Sequence, residues 1–307
     1  MGVELKQNRL PANQTGTATS TYNPWRIRLQ LTKPLTWVGP AWSVACGVVG
    51  ASGADFSVHT FGYALLLIVL IGPLVLGMGQ SINDYCDADV DAINEPDRPC
   101  AKVPEFKHLA MTNVYVLTLA SLIVAYTMFR IEIFWLVVFG LVTAYIYSAP
   151  PLRLKQNGWY GNTACAITYV TIPWIAGNLA FDSFTWQQAT VASIYAIGSH
   201  GMMTFNDFKS VKGDTMAGLK SIVVQYGIDG GLKLALAMLN TSQLLAALFL
   251  AWQGRYVGAV ILIVFLLIQL PFQKKVKEDP VTKAPWYNAT AGSFFILGMM
   301  VAAFYLK

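Results

Sequence analysis

Long apolar runs alternate with short polar ones along almost the whole chain after residue 34. Stretches long enough to cross a bilayer fall near 35–53, 61–82, 109–129, 133–150, 162–180, 188–206, 232–252, 256–273 and 287–306. The pattern predicts an all-α fold, a polytopic membrane helical bundle of about nine transmembrane helices, with 34–307 as a single domain. Residues 1–33 are polar, with Pro11, Gly16 and a Thr/Ser-rich stretch at 15–21. They lack the short apolar core and cleavage site of a secretory signal and predict a cytoplasmic N-terminal tail.

Composition supports the membrane reading. Of 307 residues 55% are hydrophobic and 12% charged, and the mean hydropathy is +0.49. These values exclude an ordinary soluble domain. The net charge of +5 is spread over loops, with no basic stretch dense enough for nucleic acid. The four cysteines, Cys46, Cys86, Cys100 and Cys165, lack C-x-x-C or zinc spacing, so neither a disulfide framework nor a cysteine metal site is expected. With the N-terminus inside, all but Arg130, Arg255 and Lys307 of the 21 Lys and Arg residues fall on the cytoplasmic side. That asymmetry predicts cytoplasmic loops after the even-numbered spans and a C-terminus on the opposite side.

Two near-copies of one acidic motif stand in this apolar chain: Asn83-Asp84-x-x-Asp87-x-x-x-Asp91 and Asn206-Asp207-x-x-Ser210-x-x-x-Asp214. Carboxylates beside a bilayer are expensive and mark functional sites. Both copies begin at the cytoplasmic ends of even-numbered spans, the second and the sixth, so they are placed to face one another. On a helix, Asp84, Asp87 and Asp91 fall within about 60° of each other, whereas Asp89 turns about 140° away from Asp84. Facing aspartates repel unless cations lie between them. Hard oxygen ligands suit Mg²⁺, which binds through one or two carboxylates plus substrate phosphates. Asp84, Asp87 and Asp91 are thus expected to supply one metal site, and Asp207 and Asp214 the other. Asn83 and Asn206 would hydrogen-bond phosphate or metal-bound water without adding charge.

Cations on the same face suit a diphosphate leaving group, whose departure is helped by electrostatic stabilisation alone. Arg98, Arg153, Lys155 and Lys209 are the candidates, with Arg98 and Lys155 also assigned to catalysis beside Asp84 and Asp87. The competing reading makes them topology-setting charges. Tyr145 and Tyr147 are placed either to steady an allylic cation through their rings or to form an interfacial belt. His200 lies seven residues before Asp207, about 10 Å deeper on a continuous helix. Two readings stand for it: a packed core histidine, or a contact to the metal of a bound tetrapyrrole.

Several stretches resemble one family. Gly79-Gln-Ser-Ile-Asn-Asp-Tyr-Cys-Asp-Ala-Asp-Val-Asp-Ala-Ile-Asn-Glu-Pro-Asp-Arg-Pro99, Tyr147-Ser-Ala-Pro-Pro-Leu-Arg-Leu-Lys-Gln-Asn-Gly-Trp159 and Asn206-Asp-Phe-Lys-Ser-Val-Lys-Gly-Asp214 are similar to segments of the UbiA superfamily of intramembrane prenyltransferases. Within it, they look like the chlorophyll and bacteriochlorophyll synthases, and Asp279-Pro-Val281 echoes their last cytoplasmic loop. The resemblance covers nearly the whole chain after about residue 30. Asp97 and the Ser199-His-Gly-Met sequence lean toward the bacteriochlorophyll branch.

The resemblance implies a UbiA-type fold, a Mg²⁺ cofactor and transfer of a geranylgeranyl or phytyl group from its diphosphate. The acceptor would be the propionate carboxylate of (bacterio)chlorophyllide, in the last step of pigment synthesis. It also implies the cytoplasmic photosynthetic membrane of a bacterium, with membrane lipids around the protein. Whether it works alone or beside a geranylgeranyl reductase or pigment–protein assembly factors is left open. The chain departs from the family at Lys212, where glutamate is usual, at Thr215 in place of arginine, and at Val223 in place of proline. Lys212 therefore keeps a non-catalytic tetrapyrrole-binding homologue among the readings. An aromatic prenyltransferase of quinone synthesis is another. An aspartate-lined cation transporter is a third, although it would place its acids near mid-membrane rather than at one end.

Overall fold

In hydrocarbon a helix satisfies its own backbone, so each apolar run folds as one. The computed structural model describes residues 22–55, 57–182 and 184–307, and among them it is helical, with one isolated parallel bridge between Asn157 and Lys220. Helix α1 (Pro24–Leu31) starts at Asn23, whose side chain accepts the Trp25 and Arg26 amides. A 3₁₀ turn at Pro34–Trp37 leads to α2 (Val38–Val49). Helix α3 (Val58–Asn94) runs through a π-helical stretch, Leu70–Leu76, that contains Pro73. A proline without an amide hydrogen accounts for that local change of winding.

After α4 (Lys107–Met128) and α5 (Ile131–Ser148), α6 covers 158–179 with a second π-helical stretch at Ile167–Thr171. Then come α7 (Trp186–Asp207), the short α8 (Val211–Met216), α9 (Ile222–Trp252), α10 (Tyr256–Val276) and α11 (Pro280–Tyr305).

A helix lies at each of the nine expected stretches, but the span count is not thereby established. Among the described residues, six segments are long and apolar enough to cross a membrane: Val58–Asn94, Pro104–Met128, Ile131–Ser148, Ile222–Trp252, Tyr256–Val276 and Pro280–Tyr305. Helix α2 has 12 residues, about 18 Å of rise against a hydrocarbon thickness of about 30 Å. Helices α6 and α7 are diluted by polar residues such as Asn162, Thr168, Gln188, Ser199 and His200. The expected tail also changes character. Its first 21 residues, with Lys6 and Arg9, lie outside the described residues. Helix α1, however, buries Ile27 and Leu31 against Ala88, Cys100, Phe106 and Leu109, and Arg28 donates to Asn113 at 2.9 Å.

Two apolar cores divide the bundle. One is built by α2 to α6, the other mainly by α7, α9, α10 and α11. Helices α2 and α6 cross at glycine: a Cβ on Gly47 would stand 2.0 Å from the Trp174 carbonyl, and one on Gly177 2.3 Å from the Val44 carbonyl. Small residues of this kind let helix backbones meet in a membrane. Gln188 then ties three helices, accepting from Trp174 Nε1 at 2.8 Å and donating to the Gly50 carbonyl at 3.0 Å. Reciprocal amide pairs, Asn240 with Gln273 and Gln243 with Gln269, fix α9 against α10.

This frame brings the ends of α3 and α7 together at one end of the bundle. The bridge between Asn157 and Lys220, with Gly158 N donating to Lys220 O at 2.8 Å, holds the segment before α6 beside the one before α9.

Candidate active site

A cavity of about 430 Å³ opens between the last turns of α3 and α7, within the range of small-ligand sites. From α3 it receives Asn83, Asp87 and Asp91, spaced four apart, followed by Asn94 and Glu95. A four-residue step advances the helix by only about 40°, so these three side chains form one row. Asp87 lies at the centre, and three ties converge on it. Its carboxylate accepts from Asn83 Nδ2 at 2.7 Å and from Arg153 Nη2 at 3.1 Å, and it contacts Lys155 Nζ.

Asp84, expected in the metal set with Asp87 and Asp91, does not line the cavity. It is fully buried, its Oδ2 accepts the Cys100 amide at 3.0 Å, and its Oδ1 has no hydrogen-bond partner among the described residues. The helical wheel gave angles between side chains, but not which sector faced inward. Asp84 lies about 60° off Asp87, far enough to point beneath the turn that carries Arg98. Asp89 is exposed, as expected.

The second motif contributes Asn206 and Asp207 from α7, Ser210, and Asp214 from α8. Asp207 Oδ2 is buried with no hydrogen-bond partner among the described residues. Burial raises the pKa of Asp214, and the charge of Asp87 adds to the effect. A carboxylate so placed gains from a cation. Asn94 crosses between the motifs: its Oδ1 accepts Gly213 N at 3.1 Å and its Nδ2 donates to Asp214 at 3.3 Å. Glycine at 213 makes room for this link, because a Cβ there would stand 2.0 Å from Asn94 Oδ1 and displace that side chain.

The cavity holds cations as well. Arg98 donates through Nη1 to Asp91 at 2.7 Å and through Nε to Glu95. Lys209 reaches Glu95 at 2.5 Å. Lys155 lines the cavity and is lowered in pKa by burial. Lys33, read from sequence only as a topology charge, lines it too. Its ammonium donates to Asn83 Oδ1 at 3.2 Å and stands 3.9 Å from Asp84. Burial, and then the Arg98 charge, push its pKa down to about 8. Among the described residues, the non-glycine positions with positive φ are Lys33 at 47° and Arg153 at 39°. Both are cations directed at the first motif, and strained backbone of this kind clusters at functional sites.

The aromatic candidates separate. Tyr147 lines the cavity, while Tyr145, two residues earlier on α5, is 46% exposed and lies outside it. Tyr169, not anticipated, lines it and accepts from Gln80 Nε2 at 3.0 Å. His200 is not brought to the cavity. It is buried against the Trp159 ring, with centroids 5.4 Å apart, and neither of its ring nitrogens has a hydrogen-bond partner among the described residues. Lys212 is exposed and does not line the cavity.

The arrangement can accept a polyanion together with a hard cation. Carboxylates of both motifs face one space, and a buried carboxylate oxygen there lacks a partner. No three of the described His, Cys, Asp and Glu residues form a metal-binding group by themselves.

The comparisons with known proteins identify the family. A bacteriochlorophyll synthase 33 kDa chain from Cereibacter sphaeroides is 38% identical over 92% of this chain and 93% of its own length. A bacteriochlorophyll synthase 34 kDa chain from Chloroflexus aurantiacus is 38% identical over 91% of this chain and 90% of its own. The chloroplastic chlorophyll synthase of Arabidopsis thaliana is 36% identical over 93% of this chain and 76% of its own. In fold, the chain is similar to a UbiA homolog from Archaeoglobus fulgidus solved with DMAPP and Mg²⁺. The TM-score is 0.68 at 19% identity, over 90% of this chain and 98% of that one. The UbiA prenyltransferase family model matches residues 41–299, and the chain is an intramembrane prenyltransferase belonging to the UbiA family.

Proposed function

We propose that the protein esterifies a chlorophyllide-type tetrapyrrole, transferring an isoprenyl group from geranylgeranyl or phytyl diphosphate to the pigment's propionate. The observation that carries the reading is the meeting of both acidic motifs and their cations around one cavity. The pigment-synthase relatives support the acceptor. In this scheme the diphosphate is held by Arg98, Arg153, Lys155, Lys209 and Lys33, with Asn83 and Asn206 as neutral partners. Asp87, Asp91, Asp207 and Asp214 would hold Mg²⁺, which supplies charge neutralisation of the leaving diphosphate.

The carboxylate oxygen of the acceptor attacks C1 of the prenyl group as the C1–O bond breaks and the electron pair leaves with diphosphate. The nucleophile already carries its charge, so no general base is required. This agrees with a cavity rich in acids and cations. Tyr147 and Tyr169 line the cavity, and in this scheme their rings would stabilise positive charge developing at C1.

The distribution of Lys and Arg supports a cytoplasmic orientation for the cavity end. The bacterial branch is favoured by the Asp97 and Ser199–Met202 signatures. Asp97 itself is exposed and pairs with Lys102, so this signature does not touch the cavity. Lys212, the departure that motivates a non-catalytic reading, is exposed and does not line the cavity.

The test is direct. Membranes containing the protein are incubated with Mg²⁺, geranylgeranyl diphosphate and bacteriochlorophyllide a, and the pigments are separated by chromatography. Esterified bacteriochlorophyll is the expected product. Pigment recovered unesterified, with chlorophyllide a equally inert, would contradict the proposal.

A further inference from the structure

Among the described residues, five carboxylates face the cavity: Asp87, Asp91, Glu95, Asp207 and Asp214. Four belong to the acidic motifs. Glu95 does not. It follows the last turn of α3, where the backbone leaves helical geometry at φ −146° and ψ 66°. Both of its carboxylate oxygens are engaged: Oε1 accepts from Lys209 Nζ at 2.5 Å, and Oε2 from Arg98 Nε. Those two cations come from different motif segments, so one side chain joins the two sides of the cavity mouth.

The same two cations are assigned above to the diphosphate. A carboxylate offers a guanidinium or ammonium the same kind of acceptor that a phosphate does. Glu95 therefore competes with any diphosphate for the same donors. The competition is placed where exchange is easy. Glu95's side chain is 29% exposed and that of Lys209 58%, and pairs so exposed to water are weak. Asp91, the other partner of Arg98, is by contrast only 8% exposed.

We propose that Glu95 is a positioning residue that stands in for the diphosphate. It holds Arg98 and Lys209 across the mouth when no substrate is bound and yields them when the diphosphate enters. This inference rests on the diphosphate reading of the cavity. It predicts an inverted phenotype: removing a charge from the site tightens substrate binding, because the free energy holding the cations to Glu95 is subtracted from that holding them to the diphosphate.

The test is E95Q in the purified full chain. Calorimetric titration with inorganic diphosphate and Mg²⁺ should give a Kd about three- to tenfold lower than wild type. In turnover, the KM for geranylgeranyl diphosphate should fall by a similar factor while kcat does not rise. A Kd unchanged within about twofold, or weaker, overturns the proposal, since Glu95 would then help build the site. If E95Q does not survive purification, E95D replaces it. One methylene shorter, it cannot span both cations, and it too should tighten binding; weaker binding overturns the proposal. The calorimetric arm needs no acceptor. A protein that binds diphosphate more tightly as E95Q but esterifies no pigment would therefore contradict the acceptor reaction and leave Glu95's role standing.

Discussion

At the scale of single residues, the first acidic motif divides its labour. Asn83, Asp87 and Asp91 face the cavity, whereas Asp84 is buried under the Arg98 turn and accepts the Cys100 amide. Asp87→Asn should remove a charge from the point where Asn83, Arg153 and Lys155 converge, and lower turnover by about a hundredfold or more. Asp84→Asn keeps an acceptor for the Cys100 amide and should cost less than about tenfold in turnover. Mn²⁺ binding followed by electron paramagnetic resonance separates the two: it should weaken in Asp87→Asn and persist in Asp84→Asn. The reverse pattern would assign the metal to Asp84. The candidates legible in the sequence were those with formal charge at helical spacing. Asn94, Glu95 and Tyr169 are not legible there, because their roles depend on which segments meet across the cavity. Lys33 was hidden for a related reason: a lysine before a predicted span looks like any other topology charge. The row from Asn83 to Asp91 was available as a spacing of four, but the wheel does not mark the inward sector.

At the scale of elements, the end of α3 is bound to α8 through Asn94 and Gly213. Gly213→Ala would drive the Asn94 side chain out of place, since the new Cβ would stand 2.0 Å from its Oδ1. The side chain can swing aside, so the fold should survive. Its bonds to Gly213 N and Asp214 would be lost, at about 1 kcal/mol each. The expected result is a severalfold higher Mg²⁺ requirement for turnover, reproduced by Asn94→Ala. The double variant should be no worse than either single one, because both break the same link. Additive effects would show that Gly213 and Asn94 act separately. Helix positions were legible from hydropathy, because every long apolar run became a helix. The span count was less so. Polar residues along α6 and α7, and the brevity of α2, blur the signal that makes a helix a span.

At the scale of the whole molecule, the apolar pattern predicts an even number of intervening spans and so both motifs at one end, and the bundle does bring them together. What the chain does there follows from one chemical claim: the prenyl C1–O bond breaks, and the pigment keeps both of its carboxylate oxygens. Sequence could carry that claim as far as the residue types required, two acidic clusters and several cations without a nucleophile–base pair. The most direct measurement uses prenyl diphosphate labelled with ¹⁸O at the oxygen bonded to C1, with mass spectrometry of both products. All of the label should appear in the released diphosphate and none in the esterified pigment. Label in the pigment ester would mean that the C1–O bond survives and the acyl group is transferred instead, contradicting the account at its centre.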